Sequence, residues 1–306
     1  MWKNLRRFKA PDIDDEQSQA EQLLPDLSLY DLPAIGNSRA TSETACRIAD
    51  LPFTKVEPPA GAAYTDTPAA DLALQVRSLY RYYQTGTTVV RALDGVSFDV
   101  KVGEFCAIVG TSGSGKSTLL NQLAGLEPAT AGIVRVFNRD IAALNERELV
   151  EFRLQNIGFI FQSFNLIKSL TALENVCLPL VFKGVNPSLR KKAATVLLQQ
   201  LGLQNHAGHL PTQLSGGQQQ RLGIARALIA NPRIIYADEP TGNLDSKSAQ
   251  ETLKLLKKIA AAGNKTIIMV THDEHLAQYA DRIFKISDGK LVSVSRGTIS
   301  DNVNKQ

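Results

Sequence analysis

The sequence has little cysteine. Its three thiols, Cys46, Cys106 and Cys177, are far apart, and no two stand in a Cys-x-x-Cys spacing. That speaks against a disulfide framework or a cysteine zinc site, and it suits a reducing compartment. Long apolar runs are missing too: none reaches the ~18 residues needed to cross a bilayer. The start, MWKNLRRFKAPDIDDEQ, is basic but lacks the apolar stretch of a secretory signal. If the protein serves a membrane, something else must hold it there. Neither sign of charge dominates. A formal net charge of +4 is too mild to argue for a nucleic-acid partner. There is no internal repeat.

What is present is ample core material. The 306 residues are 43% hydrophobic and 21% charged, enough for one large domain or two smaller ones. The first 70 differ from the rest. They carry 11 acidic and 7 basic residues and seven of the thirteen prolines. Residues 1–70 therefore read as a mostly disordered extension or linker. A short helix is expected around 14–24. WKNLRRF reads either as a basic-aromatic foot on a membrane surface or as part of a solvated tail.

From Leu72 the pattern changes. FCAIV (105–109), IGFIF (157–161), RIIYAD (233–238), TIIMV (266–270) and RIFKI (282–286) are short, apolar and rich in β-branched residues. Helical stretches separate them, so they predict a mainly parallel sheet buried on both faces. LALQVRSLYRYY and LDGVSFDVKVG alternate instead, as antiparallel strands with one wet face do. SLRKKAATVLLQQLGL (188–203) reads as an amphipathic helix. The expected fold class is α/β: a mainly parallel core sheet, an antiparallel β subdomain, and a helical insertion over about 146–211. This domain spans 71–295, with a tail over 296–306.

Residues 110–118, GTSGSGKST, follow a buried strand and precede the helical LLNQLAGL. They fit the phosphate-loop pattern G-x-x-x-x-G-K-[ST] in its proper context. Gly110, Thr111, Ser112, Gly113, Ser114 and Gly115 would wrap backbone around phosphates. Lys116 would neutralise the β- and γ-phosphates, and Ser117 would take a Mg²⁺ position, with Thr118 next in the helix. Asp238 ends the strand RIIYAD, where an acid can reach the same Mg²⁺. Glu239 beside it is placed to polarise an attacking water as general base. Gln162 and His272 follow two further buried strands. At the carboxyl ends of a parallel sheet they point into the same crevice. Gln162 can bind Mg²⁺ or the attacking water, and His272 can hydrogen-bond the γ-phosphate.

LSGGQQQRLGIARAL (214–228) poses a separate question. A Ser-Gly-Gly turn opens into a helix whose Leu222, Ala225 and Leu228 share one face. The turn has no nucleophile or base, only the Ser215 hydroxyl, backbone N–H groups and a helix N-terminus. Those are the parts of an anion site, set apart from the phosphate loop.

The order is phosphate loop, Gln162, LSGGQQQ, IIYADEP, NLD (243–245), His272. It resembles the nucleotide-binding subunit of ATP-binding-cassette (ABC) transporters, over about 72–292. FQSFNLIKSLTALENVCLPL (161–180) and PTQLSGGQQQRLGIARALIANPRIIYADEPTGNLDS are similar to the branch that includes lipoprotein-release and macrolide-export ATPases. The resemblance implies a P-loop NTPase of the ABC type that hydrolyses ATP with Mg²⁺. It implies two cassettes docked head to tail, the LSGGQ turn of each closing over the ATP of the other. Ser215, Gly217 and Gln218 would then serve the partner's nucleotide, and Asp245 would sit at the dimer seam. Tyr80 would stack on adenine, with Tyr82 and Tyr83 as rivals. The branch also implies a separate integral membrane permease, room for a periplasmic adaptor, and a place on the cytoplasmic face of the plasma (inner) membrane. The region Gln162–Leu173 would dock a coupling helix of the permease. Export or extraction is the expected work. The cargo stays open because its contacts lie in the permease.

The other class of reading is a soluble ABC ATPase acting in DNA repair or translation. Repair ATPases insert coiled coils or cysteine-rich zinc modules, and translation members carry two cassettes, none of which occurs here. A P-loop kinase or GTPase has no use for an LSGGQ turn, and the guanine-reading Asn-Lys-x-Asp is absent.

Overall fold

The structure is a computed structural model and describes residues 71–85, 88–263 and 265–299. The extension expected over 1–70, its helix near 14–24 and its WKNLRRF foot lie outside the described residues, as do 300–306 of the expected tail.

The chain enters through β1 (Leu72–Thr85) and β2 (Thr88–Lys101), then β3 (Phe105–Val109) and α1 (Lys116–Leu123). Next come β4 (Ala131–Val136), β5 (Arg139–Asp140), α2 (Glu146–Asn156) and β6 (Ile157–Ile160). Three helices follow: α3 (Ala172–Phe182), α4 (Pro187–Gln200) and α5 (Gly216–Leu228). The chain returns through β7 (Ile234–Asp238), α6 (Ser246–Gly263), β8 (Thr266–Thr271), α7 (Glu274–Ala277), β9 (Arg282–Ser287) and β10 (Lys290–Arg296).

Two sheets result. One is antiparallel, in the order β2-β1-β4-β5. The other runs β10-β9-β3-β8-β7-β6, parallel throughout except for the edge strand β10. Four of the apolar runs read from the sequence are its inner strands β9, β3, β8 and β7, and the fifth, IGFIF, is the edge strand β6. Every residue of β3 is buried, and successive side chains serve different cores. Phe105, Ala107 and Val109 face the helical side, whereas Cys106 and Ile108 face α1 and the antiparallel sheet. Ile267 and Met269 alternate with Ile268 and Val270 in the same way. A strand with a core on each face has no room for the polar alternation of a half-exposed one.

The helices begin where local chemistry dictates. Asn145 with Glu148 and Thr171 with Glu174 form capping boxes before α2 and α3, and Pro187 opens α4 behind Asn186. The helical unit is narrower than the 146–211 expected. β6 lies inside that range and pairs with β7 in the core sheet, and α2 leads into it. The part that packs as helices on helices is α3, α4 and α5.

The parallel strands share one carboxyl edge. Val109 lies opposite Thr271, Asp238 opposite Val270 and Ile160 opposite Ala237. Whatever follows these four strands therefore meets at one rim. Cys106 and Cys177 are free and buried, and burial pushes both thiols up, away from reactive thiolate character. Cys46 lies outside the described residues.

Candidate active site

The phosphate loop crosses that rim between β3 and α1. α1 starts at Gly115 with no side-chain cap and no acidic residue in its first turn. Its leading N–H groups and positive dipole end are left to an anion. Lys116 is only 6% exposed and donates to the Thr111 carbonyl oxygen at 2.8 Å, which curls the loop around its own ammonium. Ser114 closes the turn with its N–H to Thr111, and its buried hydroxyl has no hydrogen-bond partner among the described residues. The Gly289 N–H holds the Ser114 carbonyl from the β9–β10 turn. Gly110, Ser112, Gly113 and Thr118 complete the loop and its entry into the helix.

The acids come from β7. Ser117 Oγ lies 3.5 Å from Asp238 Oδ1, although the two are 121 residues apart. Burial, then the neighbouring Glu239 charge, pushes the Asp238 carboxyl up; Ser117 and Lys116 oppose this. A half-buried carboxylate that repels its neighbour and touches a hydroxyl is a donor set suited to a hard divalent cation, so Mg²⁺ fits here. Glu239 has φ 42°, the left-handed region that side chains avoid, and its N–H bonds Val270 O at 3.0 Å. That backbone turns the carboxylate back over the rim, strain of the kind that clusters at functional sites. Glu239 Oε1 meets His272 Nδ1 at 3.0 Å.

Gln162, two residues past β6, reaches the same place. A side chain on Gly242 would come within 2.9 Å of Gln162 Nε2 and 3.4 Å of Glu239 Oε2, so both groups rest over that glycine. Asn243 donates to the Gln162 carbonyl oxygen at 2.9 Å and ties the strand ends together. Thus Lys116, Ser117, Gln162, Asp238, Glu239 and His272 converge.

Four expected residues stand apart: Ser215, Gly217, Gln218 and Asp245. Ser215 caps α5 in a full capping box: its N–H donates to Gln218 Oε1 at 2.8 Å, and the Gln218 N–H reaches its Oγ at 3.4 Å. Gly217 is buried in the first turn. Asp245 caps α6, accepting from Ser248 Oγ at 2.7 Å, and the Ser248 bonds hold its carboxyl low.

Of the tyrosines, Tyr82 donates to Asp94 and Tyr83 to Glu127, with Arg81 over the Tyr83 ring. Tyr80 lies edge-on to Tyr82 and packs over Gly95. It sits opposite Asp94, whose N–H bonds Gly289 O, beside the loop.

Sequence reasoning passed over Arg226 and Asn175. Arg226, in α5, donates to the carbonyl oxygens of Phe164 and Asn165, both at positive φ. Asn175 is fully buried and bonds the backbone of Ile167, Leu170 and Thr171. Together they set the loop after Gln162. The only local signal was a polar residue inside an apolar helical stretch.

Comparison with known proteins agrees with the geometry. Residues 93–242 match the family described as ABC transporter. The chain is 48% identical over 221 residues to an uncharacterized ABC transporter ATP-binding protein of Methanocaldococcus jannaschii, covering 72% of this chain and 98% of that one. It is 47% identical over 233 residues to the macrolide export ATP-binding/permease protein MacB of Hyphomonas neptunium, covering 76% of this chain. It spans only 35% of that relative's length. Among solved structures, the dimeric post-hydrolysis state of the ATP-binding cassette MJ0796, bound to ADP and Pi, is similar. Its TM-score is 0.69 at 43% identity, with 74% of this chain and all of that one covered. With this rim of residues and these likenesses, the chain belongs to the ABC transporter family, as an ATP-binding cassette that hydrolyses ATP.

Proposed function

We propose that this cassette powers export or extraction through a separate membrane permease, working as a head-to-tail homodimer around two ATP. The observation that carries this is the division of the site. One rim gathers Lys116, Ser117, Gln162, Asp238, Glu239 and His272, while the LSGGQ turn, with its own uncommitted N–H groups, lies on a different subdomain. A second copy is what brings such a turn to a γ-phosphate.

In this reading the phosphate loop and the α1 N-terminus bind the triphosphate, and Tyr80 stacks on adenine. Ser117 and Asp238, with Gln162, would hold Mg²⁺, which supplies charge neutralisation at the phosphates. Glu239 takes the proton of the attacking water, and His272 holds the Glu239 carboxylate and faces the γ-phosphate. Ser215, Gly217 and Gln218 close on the partner's ATP, so hydrolysis removes the anion that bridges two positive helix ends. Asp245 lies at the seam.

An apolar groove of about 330 Å³ runs between Phe159, Phe161, Leu178, Pro179, Phe182 and Arg226, next to the loop after Gln162. It supports docking of a permease coupling helix. Among the described residues no helix is long and apolar enough to cross a membrane. The permease, at the cytoplasmic face of the inner membrane, would supply the anchor, with a periplasmic adaptor on its far side.

Glu239→Gln tests the reading. It keeps the shape of the site and removes the base, so ATP should accumulate a dimer in gel filtration. A monomer with ATP bound would sink the head-to-tail arrangement. Gentle solubilisation of the native host's membranes with this variant should recover a permease; ribosomes or DNA without membrane protein would sink the transport role.

A further inference from the structure

Gln218 does not act alone. Its Oε1 accepts the Ser215 N–H at 2.8 Å, which leaves its amide nitrogen as a donor. That nitrogen lies 3.1 Å from His206 Nε2. With the amide nitrogen as donor the ring nitrogen is the acceptor in this contact, the tautomer that places the ring N–H at Nδ1. Nδ1 is buried and has no hydrogen-bond partner among the described residues. A residue present only for packing would avoid a buried orphan donor, because an apolar side chain fills the space without one. The return for that cost is the bond to Gln218.

The mount is stiff. His206 ends a 3₁₀ turn over Gln204–His206, its N–H bonds Leu203 O at 2.9 Å, and its carbonyl accepts from the His209 N–H at 2.9 Å. The His209 ring packs on it with centroids 5.2 Å apart.

We propose that His206 is a positioning residue for the LSGGQ turn. It holds the Gln218 amide, and through the capping box the Ser215 hydroxyl, in the orientation presented to the partner's ATP. This rests on the proposed role of the turn. It also assigns work to a residue outside every motif.

The test compares three substitutions in the full chain. In His206→Gln the side-chain oxygen falls where Nε2 stands and can accept from Gln218. In His206→Asn it falls near Nδ1 and cannot reach. His206→Phe keeps a ring and removes the acceptor. ATPase kcat is expected within about threefold of the parent for Gln and about tenfold lower for Asn and Phe. Affinity of a fluorescent ATP analogue, measured with Glu239 intact on cassette dilute enough to stay monomeric, should stay the same in all three, since binding in the monomer uses the phosphate loop. Equal rates for the Gln and Asn variants, whether high or low, would overturn the proposal. So would wild-type turnover in His206→Phe. Ser215→Arg separates the two ideas: if that bulky cation leaves ATPase intact, the role of the turn has failed and the proposal falls with it; if it abolishes ATPase while the Gln and Asn variants of His206 have equal rates, only the role of His206 has failed.

Discussion

Two glycines of the phosphate loop make a controlled comparison. Gly113 and Gly115 have φ of 79° and 98°, so an alanine at either must adopt a left-handed backbone. That alone costs about 1–2 kcal/mol. The surroundings differ. A Cβ on Gly113 would meet nothing within 4 Å, whereas one on Gly115 would lie 2.2 Å from Ala92 O and 3.2 Å from Leu93 Cδ2. The oxygen is backbone, in β2, and cannot swing aside. β2 or α1 must move, adding about 1–3 kcal/mol of overpacking. Gly113→Ala should therefore destabilise by about 1–2 kcal/mol and Gly115→Ala by about 2–5 kcal/mol. For a domain of this size each kcal/mol lowers Tm by about 2–4 °C. Thermal melts without nucleotide read the difference directly. Equal Tm losses in the two variants would refute the steric part of the reasoning. No loss in Gly113→Ala would refute the conformational part.

Lys116→Ala should abolish ATP binding, read with a fluorescent nucleotide; unchanged affinity would remove the phosphate-loop role. Lys265 is 5% exposed, donates to the neutral acceptors Asn231 Oδ1 and Pro232 O, and is lowered by burial to about 8. Between that value and the ordinary 10.5 the unfolded chain holds a proton the folded chain has released, so its contribution to stability rises with pH there. The gain is about 3 kcal/mol across that window at most, and Lys265→Met should lack it. Urea midpoints of both proteins at matched pH values test this, and identical slopes would count against it. Deleting residues 1–70 should leave ATPase activity and Tm largely intact; a collapse of either would show that the extension belongs to the core.

The residues that the structure brings together at the rim were legible in the chain. GTSGSGKST, IIYADEP and LSGGQ are local patterns, and the backbone geometry they need is local as well: a loop, a strand end, a capped helix. The apolar runs revealed the inner strands because a strand with a core on both faces has no polar positions to disguise it. The strand β6 was legible as the run IGFIF, whereas the bounds of the helical unit were not, since they follow from the pairing of β6 with β7 and the packing of α3, α4 and α5 on one another. Nor were Arg226, Asn175 and His206, whose partners lie 61, 8 and 12 residues away and are mostly backbone carbonyls or a single amide. Any polar residue type meets such partners somewhere, so spacing carries no signal for them. The sequence by itself therefore determined the chemistry. The tertiary structure alone decided the meeting of Ser117 with Asp238, of Glu239 with His272, and of Gln218 with His206. Those contacts depend on parallel register and helix packing, which sum over many residues and are written at no single one.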